Sequence, residues 1–233
     1  LVVAGGDQSE LRGLGLRGGG AGVLIFDASE VLLEELWVHD TGWHGIALQA
    51  SQLQTSATVR DSLLERTREN GLFVSGGAEL TVLSTAIREV IPSASGSGGF
   101  GVYLSGGALG RGGLTLRGSL VDRARDLGIY ARRSDVLVQE SAIRDTQPDG
   151  DGKRGWGIVV EPDFTTYEPS TLSLSQSWVS GSHETGVVVS VSEATIDATV
   201  VRDTQPRAGG AWGWGVSVEG AFFEPQRASA SLT

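Results

Sequence analysis

Tyrosine, arginine and glutamate recur at fixed offsets from a repeated glycine, and together they could move a proton. Tyr103 and Tyr130 each stand two residues after such a glycine, and Arg132 and Glu161 each stand four after one. A tyrosine beside an arginine and a carboxylate can take the proton next to a uronate carboxyl while the guanidinium neutralises the charge. The plainer account is a cross-strand Arg132–Glu161 pair, worth well under ~1 kcal/mol, beside ordinary strand tyrosines. It carries more weight. Phe100, Trp156 and Trp214 each immediately precede a repeat glycine, and Trp212 adds a second indole beside Trp214. Aromatic faces at regular spacing can stack on sugar rings, or each can pin its own glycine-rich loop. Asp145, Asp149 and Asp151 offer hard oxygen ligands that could hold calcium. The sister loop, Asp203 to Gly210, has lost two of these carboxylates and gained Arg207, which favours a solvated Asp-Gly turn. His39, Asp40 and His44 could start a zinc site but lack a recognisable fourth ligand. Glu161 and Glu219, expected ~9–10 Å apart, approach the spacing of an inverting glycosidase pair, though duplication already explains them.

The elements that position these side chains follow from an internal repeat. A glycine followed by an alternating apolar triplet occurs at Gly22, Gly45, Gly71, Gly101, Gly128, Gly157, Gly186 and Gly215. The spacings are 23, 26, 30, 27, 29, 29 and 29 residues. A second alternating stretch follows in each unit, as in Leu80-Thr81-Val82, then a hydroxylated residue and two apolar ones, as in Ser119-Leu120-Val121. Period-two alternation in short pieces means strands. Units this small bury their apolar face only by stacking on one another. The repeat glycine is expected where a sharp turn needs positive φ. Under strict alternation the column Trp37, Leu63, Ala86, Leu120, Ala142, Trp178, Val200 forms an apolar stripe outside the rod, which would mark a partner or neighbouring chain. The favoured expectation is a local bend that turns it inward, since alternation fails at corners.

This pattern resembles the right-handed parallel β-helix repeat of the pectate-lyase-like superfamily. It covers Gly22 to the C-terminus, with the first twenty residues as a degenerate coil. The resemblance implies a right-handed parallel β-helix of about eight coils, all-β and without a helical layer. Residues 1–233 then form one domain, expected to be a segment of a longer chain. A longer period lies inside the short one. Ile143-Arg144-Asp145-Thr146-Gln147-Pro148 recurs as Val201-Arg202-Asp203-Thr204-Gln205-Pro206, and Glu161, Phe164 and Glu168-Pro169 recur as Glu219, Phe222 and Glu224-Pro225. The module is therefore two coils, near 87–142, 143–200 and 201–233. The superfamily hosts lyases, hydrolases, epimerases, adhesins and spacers, so fold alone does not give activity. The clustered Asp set, Gly-His-Gly and Arg-x-Lys of polygalacturonase-like enzymes are absent, as are the pectate-lyase-like calcium carboxylates.

Composition bounds the rest. The formal charge is −10, from 28 acidic and 18 basic residues, which disfavours nucleic acid and anionic membrane as partners. No apolar run reaches the ~20 residues of a membrane-spanning helix. Cysteine is absent, so neither disulfides nor thiolate sites are available. The expected function is a non-catalytic secreted or cell-surface module, binding glycan or protein along its lateral face. The alternatives are a polysaccharide lyase or hydrolase acting on an acidic polysaccharide, and a purely structural spacer. An extracellular or cell-envelope location is what the resemblance implies.

Overall fold

The computed structural model describes residues 1–207, 209–221 and 227–233. Phe222, Glu224 and Pro225 of the duplicated pattern lie outside the described residues. Among the described residues every regular element is a strand, and the strands wind as a parallel β-helix of about eight coils. Each full coil gives one strand to each of three sheets. The first sheet runs from Val2–Ala4 to Trp214–Glu219, the second from Glu10–Arg12 to Ser229–Leu232, and the third from Gly15–Arg17 to Val200–Arg202. Pairing is parallel and in register throughout, so equivalent letters become ladders along the rod. Ile25, Leu48, Val74, Leu104, Ala131, Val160 and Val189 make one such ladder, each wholly buried. No single coil could bury that face, and the stack buries it continuously.

The repeat glycines hold their place for a reason other than the expected positive φ. Gly45, Gly71 and their equivalents lie outside the positive-φ set. Instead, a Cβ at Gly45 would stand 2.5 Å from the carbonyl oxygen of Gly71 and 3.1 Å from the Leu64 side chain. The strand enters the first sheet so close to the coil above that only hydrogen fits. Positive φ falls at the corner after the third sheet, on Asp40, Arg66, Glu89, Arg123 and Asp145. Left-handed backbone at a non-glycine residue costs about 1 kcal/mol or more. Here it keeps the inter-coil ladder unbroken, since the Glu89 and Asp145 N–H groups donate to the carbonyls of Asp122 and Ser180 at 2.9 Å.

The corner between second and third sheets is closed by hydroxyls. Ser62, Thr85, Ser119, Ser141, Ser177 and Thr199 each accept the backbone N–H of the preceding coil, as from Thr85 N to Ser119 Oγ at 3.1 Å. Each hydroxyl then donates to the carbonyl two residues before it. A small side chain that both accepts and donates satisfies a buried amide at a point where the sheet ladder is broken.

The apolar column of the third sheet does not bend inward. Alternation is strict: Val38, Leu64, Ile87, Val121, Ile143 and Val179 fill the core. Trp37 (46% exposed), Trp178 (57%) and Val200 (43%) stand outside, with Leu63, Ala86, Leu120 and Ala142 half-buried between them. The change of direction is made by the left-handed residues flanking the three-residue strands, so the strands have no need to bend. Beside this stripe runs a checkerboard of charge. His39, Glu65, Arg88, Asp122 and Arg144 form one column, and Asp40, Arg66, Glu89, Arg123 and Asp145 the next, opposite in sign at each step from Glu65 onward. Buried Glu65 meets Arg88 at 2.6 Å and Arg66 at 2.8 Å, and buried Asp122 meets Arg144 at 2.7 Å and Arg123 at 2.9 Å. A slip of one coil would set like charges together.

Candidate functional site

The outward face of the first sheet carries two ladders. One is Ala47, Phe73, Tyr103, Tyr130, Val159, Val188; the other includes His44, Asn70 and Phe100, then Leu127 and Trp156. Registered rings at strand spacing stack. His44 lies 4.5 Å from Phe73, Phe73 5.2 Å from Tyr103, and Tyr103 5.4 Å from Tyr130, all in stacked orientation. Trp43 stacks on His44 at 4.1 Å and opens the series. Asn70 reaches the His44 Nδ1 at 3.1 Å. Burial among these rings pushes the His44 imidazole down to about 4.

The stack stops at Tyr130, because the next rung is Val159. This step from ring to valine makes a cavity of about 430 Å³. Tyr130, Tyr103 and Phe100 form one wall, Leu127 and Val159 the floor, and Trp156 with Arg154 the far side. Glu161 closes the rim, and its Oε2 accepts the Tyr130 hydroxyl at 2.9 Å. Burial pushes the Glu161 carboxyl up, with the Tyr130 hydrogen bond and Arg132 opposing. Burial, reinforced by Glu161, also raises Tyr130 above the ordinary phenol range.

Loops fasten the far side. Arg154 lies in the loop between Ala142–Arg144 and Trp156–Glu161, and its Nε stands 3.0 Å from Asp126 and its Nη2 3.2 Å from Asp149. Asp126 is buried, and desolvation pushes its carboxyl up to about 7 even though Arg154 opposes the shift. Trp156 donates its indole N–H to Glu184 at 3.2 Å, and Arg207 of the sister loop meets the same buried glutamate at 2.6 Å. Arg154 and Arg207 thus do one job: each anchors a long loop to an acid two residues before a repeat glycine of the previous coil. That explains the arginine gained in the sister loop.

Of the residues singled out by sequence, Phe100, Tyr103, Tyr130, Trp156 and Glu161 converge on one cavity. Arg132 is in register with Glu161, but its guanidinium lies 5.6 Å over the Phe164 ring, on the loop beyond the strand. Trp212 and Trp214 pack on each other at 4.6 Å as a separate exposed pair, two coils past Trp156. Asp149 accepts the backbone N–H groups of Asp151 and Lys153 at 2.9 Å, and Asp145 sits at the corner of the third sheet. His39 bonds Asp40 at 2.8 Å in the third sheet, away from His44 in the first. Among the described residues no three His, Asp or Glu side chains stand close enough to hold a metal ion. Sequence reasoning missed Arg154, Asp126 and Glu184. The signal was the column Glu69, Asp126, Glu184, with glycines 99, 155 and 213 in the coils between.

No family model, curated protein or solved structure matches the chain.

Proposed function

We propose that the chain is a non-catalytic binding module that takes a glycan on the outward face of its first sheet. Kinship with the pectate-lyase-like superfamily, and a secreted or cell-surface setting, belong to the same reading. The observation that carries it is the end of the ring stack. Tyr130 and Trp156 flank a cavity of about 430 Å³, large enough for a sugar ring whose C–H face would continue the stack. Glu161 and Arg154 at the rim offer an acceptor and a donor for hydroxyls. A glycan array of neutral, amino and uronic oligosaccharides tests this, with binding of at least one class expected. Uniform silence across the array would leave the spacer reading standing.

The lyase or hydrolase reading draws on one observation, that burial in the cavity raises the Glu161 carboxyl, the direction that suits a general acid at a glycosidic leaving group. The raised hydroxyl of Tyr130 weakens its lyase form, which needs a phenolate. Incubation with uronate polymers, scored for unsaturated product and for reducing ends with Glu161→Gln and Arg132→Ala as controls, decides between them. Turnover lost in either variant would replace the binding reading with an enzymatic one.

A further inference from the structure

The open stripe of the third sheet is self-complementary, and we propose that it is the contact face of an antiparallel two-fold dimer of this chain. The residue sizes along the stripe carry the argument. From Trp37 the order is Trp, Leu, Ala, Leu, Ala, Trp, one residue per coil in unbroken register. A two-fold axis lying across the rods, between Ala86 and Leu120, sets Leu63 of one copy against Ala142 of the other. It sets Ala86 against Leu120, and Trp37 against Trp178. Each large aliphatic side chain then meets a small one, in both halves of the contact, as an isologous interface requires. The parallel two-fold arrangement sets Leu on Leu and Ala on Ala, so crowding alternates with gaps.

The neighbouring columns agree independently. The same axis keeps the charged columns face to face and reverses their order. Glu65 then faces Arg144, and Arg88 faces Asp122. In the second column Arg66 faces Asp145, and Glu89 faces Arg123. All four pairings are of opposite sign. Glu65 and Asp122 lie beneath their own arginines, so this flank fixes orientation and register more than it adds strength. Like charges meet only at the ends, where exposed Arg17 faces exposed Arg202, and at the other corner, where Asp61 faces Glu140. The parallel arrangement instead brings Glu65 toward Asp61 and Arg144 toward Glu140, one repulsive pair and one attractive, and so lacks the run of matched signs. From Trp37 to Trp178 the stripe spans five strand spacings, ~24 Å at ~4.8 Å each. Exposed tryptophans stand at both ends of this contiguous stripe, and contiguous apolar surface marks interaction sites.

Sedimentation velocity over a concentration series reaching ~1 mM tests the association. The chain is expected to pass reversibly from monomer to dimer. Leu63→Ala leaves a gap and Ala142→Leu a collision, so each alone should weaken the dimer about tenfold or more. The double variant Leu63→Ala/Ala142→Leu exchanges the sizes and should recover most of the affinity. Both positions are half-buried on an outer face, and unchanged thermal melts would show that the variants fold. Geometry is read by oxidation, since the chain has no cysteine of its own. Chains carrying Trp37→Cys mixed with chains carrying Trp178→Cys should cross-link, and neither alone should. A chain monomeric to the top of the series overturns the proposal, as does a double variant no better than the singles. Cross-linking by Trp37→Cys alone, or none in the mixture, would also overturn it.

Discussion

The outward faces of the first and third sheets are built by one rule and end differently. Both stack apolar or aromatic letters in register. On the first sheet, rings close on one another from Trp43 to Tyr130, and a loop fastened by Arg154 rises beside the last of them. On the third, the strands are three residues long and Trp37, Trp178 and Val200 stay open, although the same long loops leave from the ends of Ala86–Arg88, Ala142–Arg144 and Val200–Arg202. The strands set which residues share a ladder, and the step from Tyr130 to Val159, with Arg154 of the neighbouring loop, makes one ladder a cavity while the other stays a flat stripe. The two faces are accordingly read as serving different partners: a ring entering a cavity, and a second rod lying on a flat face.

The largest effect should come from breaking the register that both faces share. Gly45→Ala forces a Cβ against the Gly71 carbonyl and should destabilise the chain by about 3 kcal/mol in urea unfolding. Gly15→Ala, on the stripe with nothing within 4 Å of the added carbon, should leave stability unchanged. Next is the contrast between indoles. Trp156 packs against Leu127, Val159 and Val188, so Trp156→Ala should cost about 2 kcal/mol. Exposed Trp178→Ala should stay within about 0.5 kcal/mol. Ser119→Ala orphans the buried N–H of Thr85 and should cost about 1–2 kcal/mol.

Smaller still is the dependence on pH, where two groups on or beside the first-sheet face oppose each other. Asp126 is raised in the fold, so its contribution is full below the unfolded carboxyl value, 3.8, and is lost as pH rises through about 7. His44 is lowered, so its contribution is full above 6.5 and is lost as pH falls through about 4. Thermal melts between those limits should show Asp126→Asn removing the loss on the alkaline side and His44→Phe removing the loss on the acid side. Arg154→Ala should extend the alkaline loss to higher pH, because the cation that lowers Asp126 is gone.

Much of this architecture was legible in the letters. The glycine-led triplets placed the first-sheet ladders, and the hydroxyl column marked a corner. Five of the eight candidate site residues landed on one cavity because register alone brings them together. What was not legible depends on distances between coils. The glycine column looked like a turn, and only the approach of the Gly71 carbonyl to Gly45 shows it to be a packing requirement. The Trp37–Val200 stripe was expected to fold inward, because the sequence does not display the left-handed corner residues that make a bend unnecessary. The charge checkerboard was readable, from Leu64-Glu65-Arg66 and Ile87-Arg88-Glu89 to Val121-Asp122-Arg123 and Ile143-Arg144-Asp145. It emerges only when equivalent coils are set one above another. Arg154 could not be placed, since a loop residue has no rung.

The most direct test sets the two faces against each other with one ligand. The tightest oligosaccharide from the array is titrated by calorimetry into the unmodified chain, Trp156→Ala and Trp178→Ala. The account predicts affinity at least about tenfold weaker for Trp156→Ala and unchanged for Trp178→Ala. Equal affinity in all three, or a loss confined to Trp178→Ala, would contradict it.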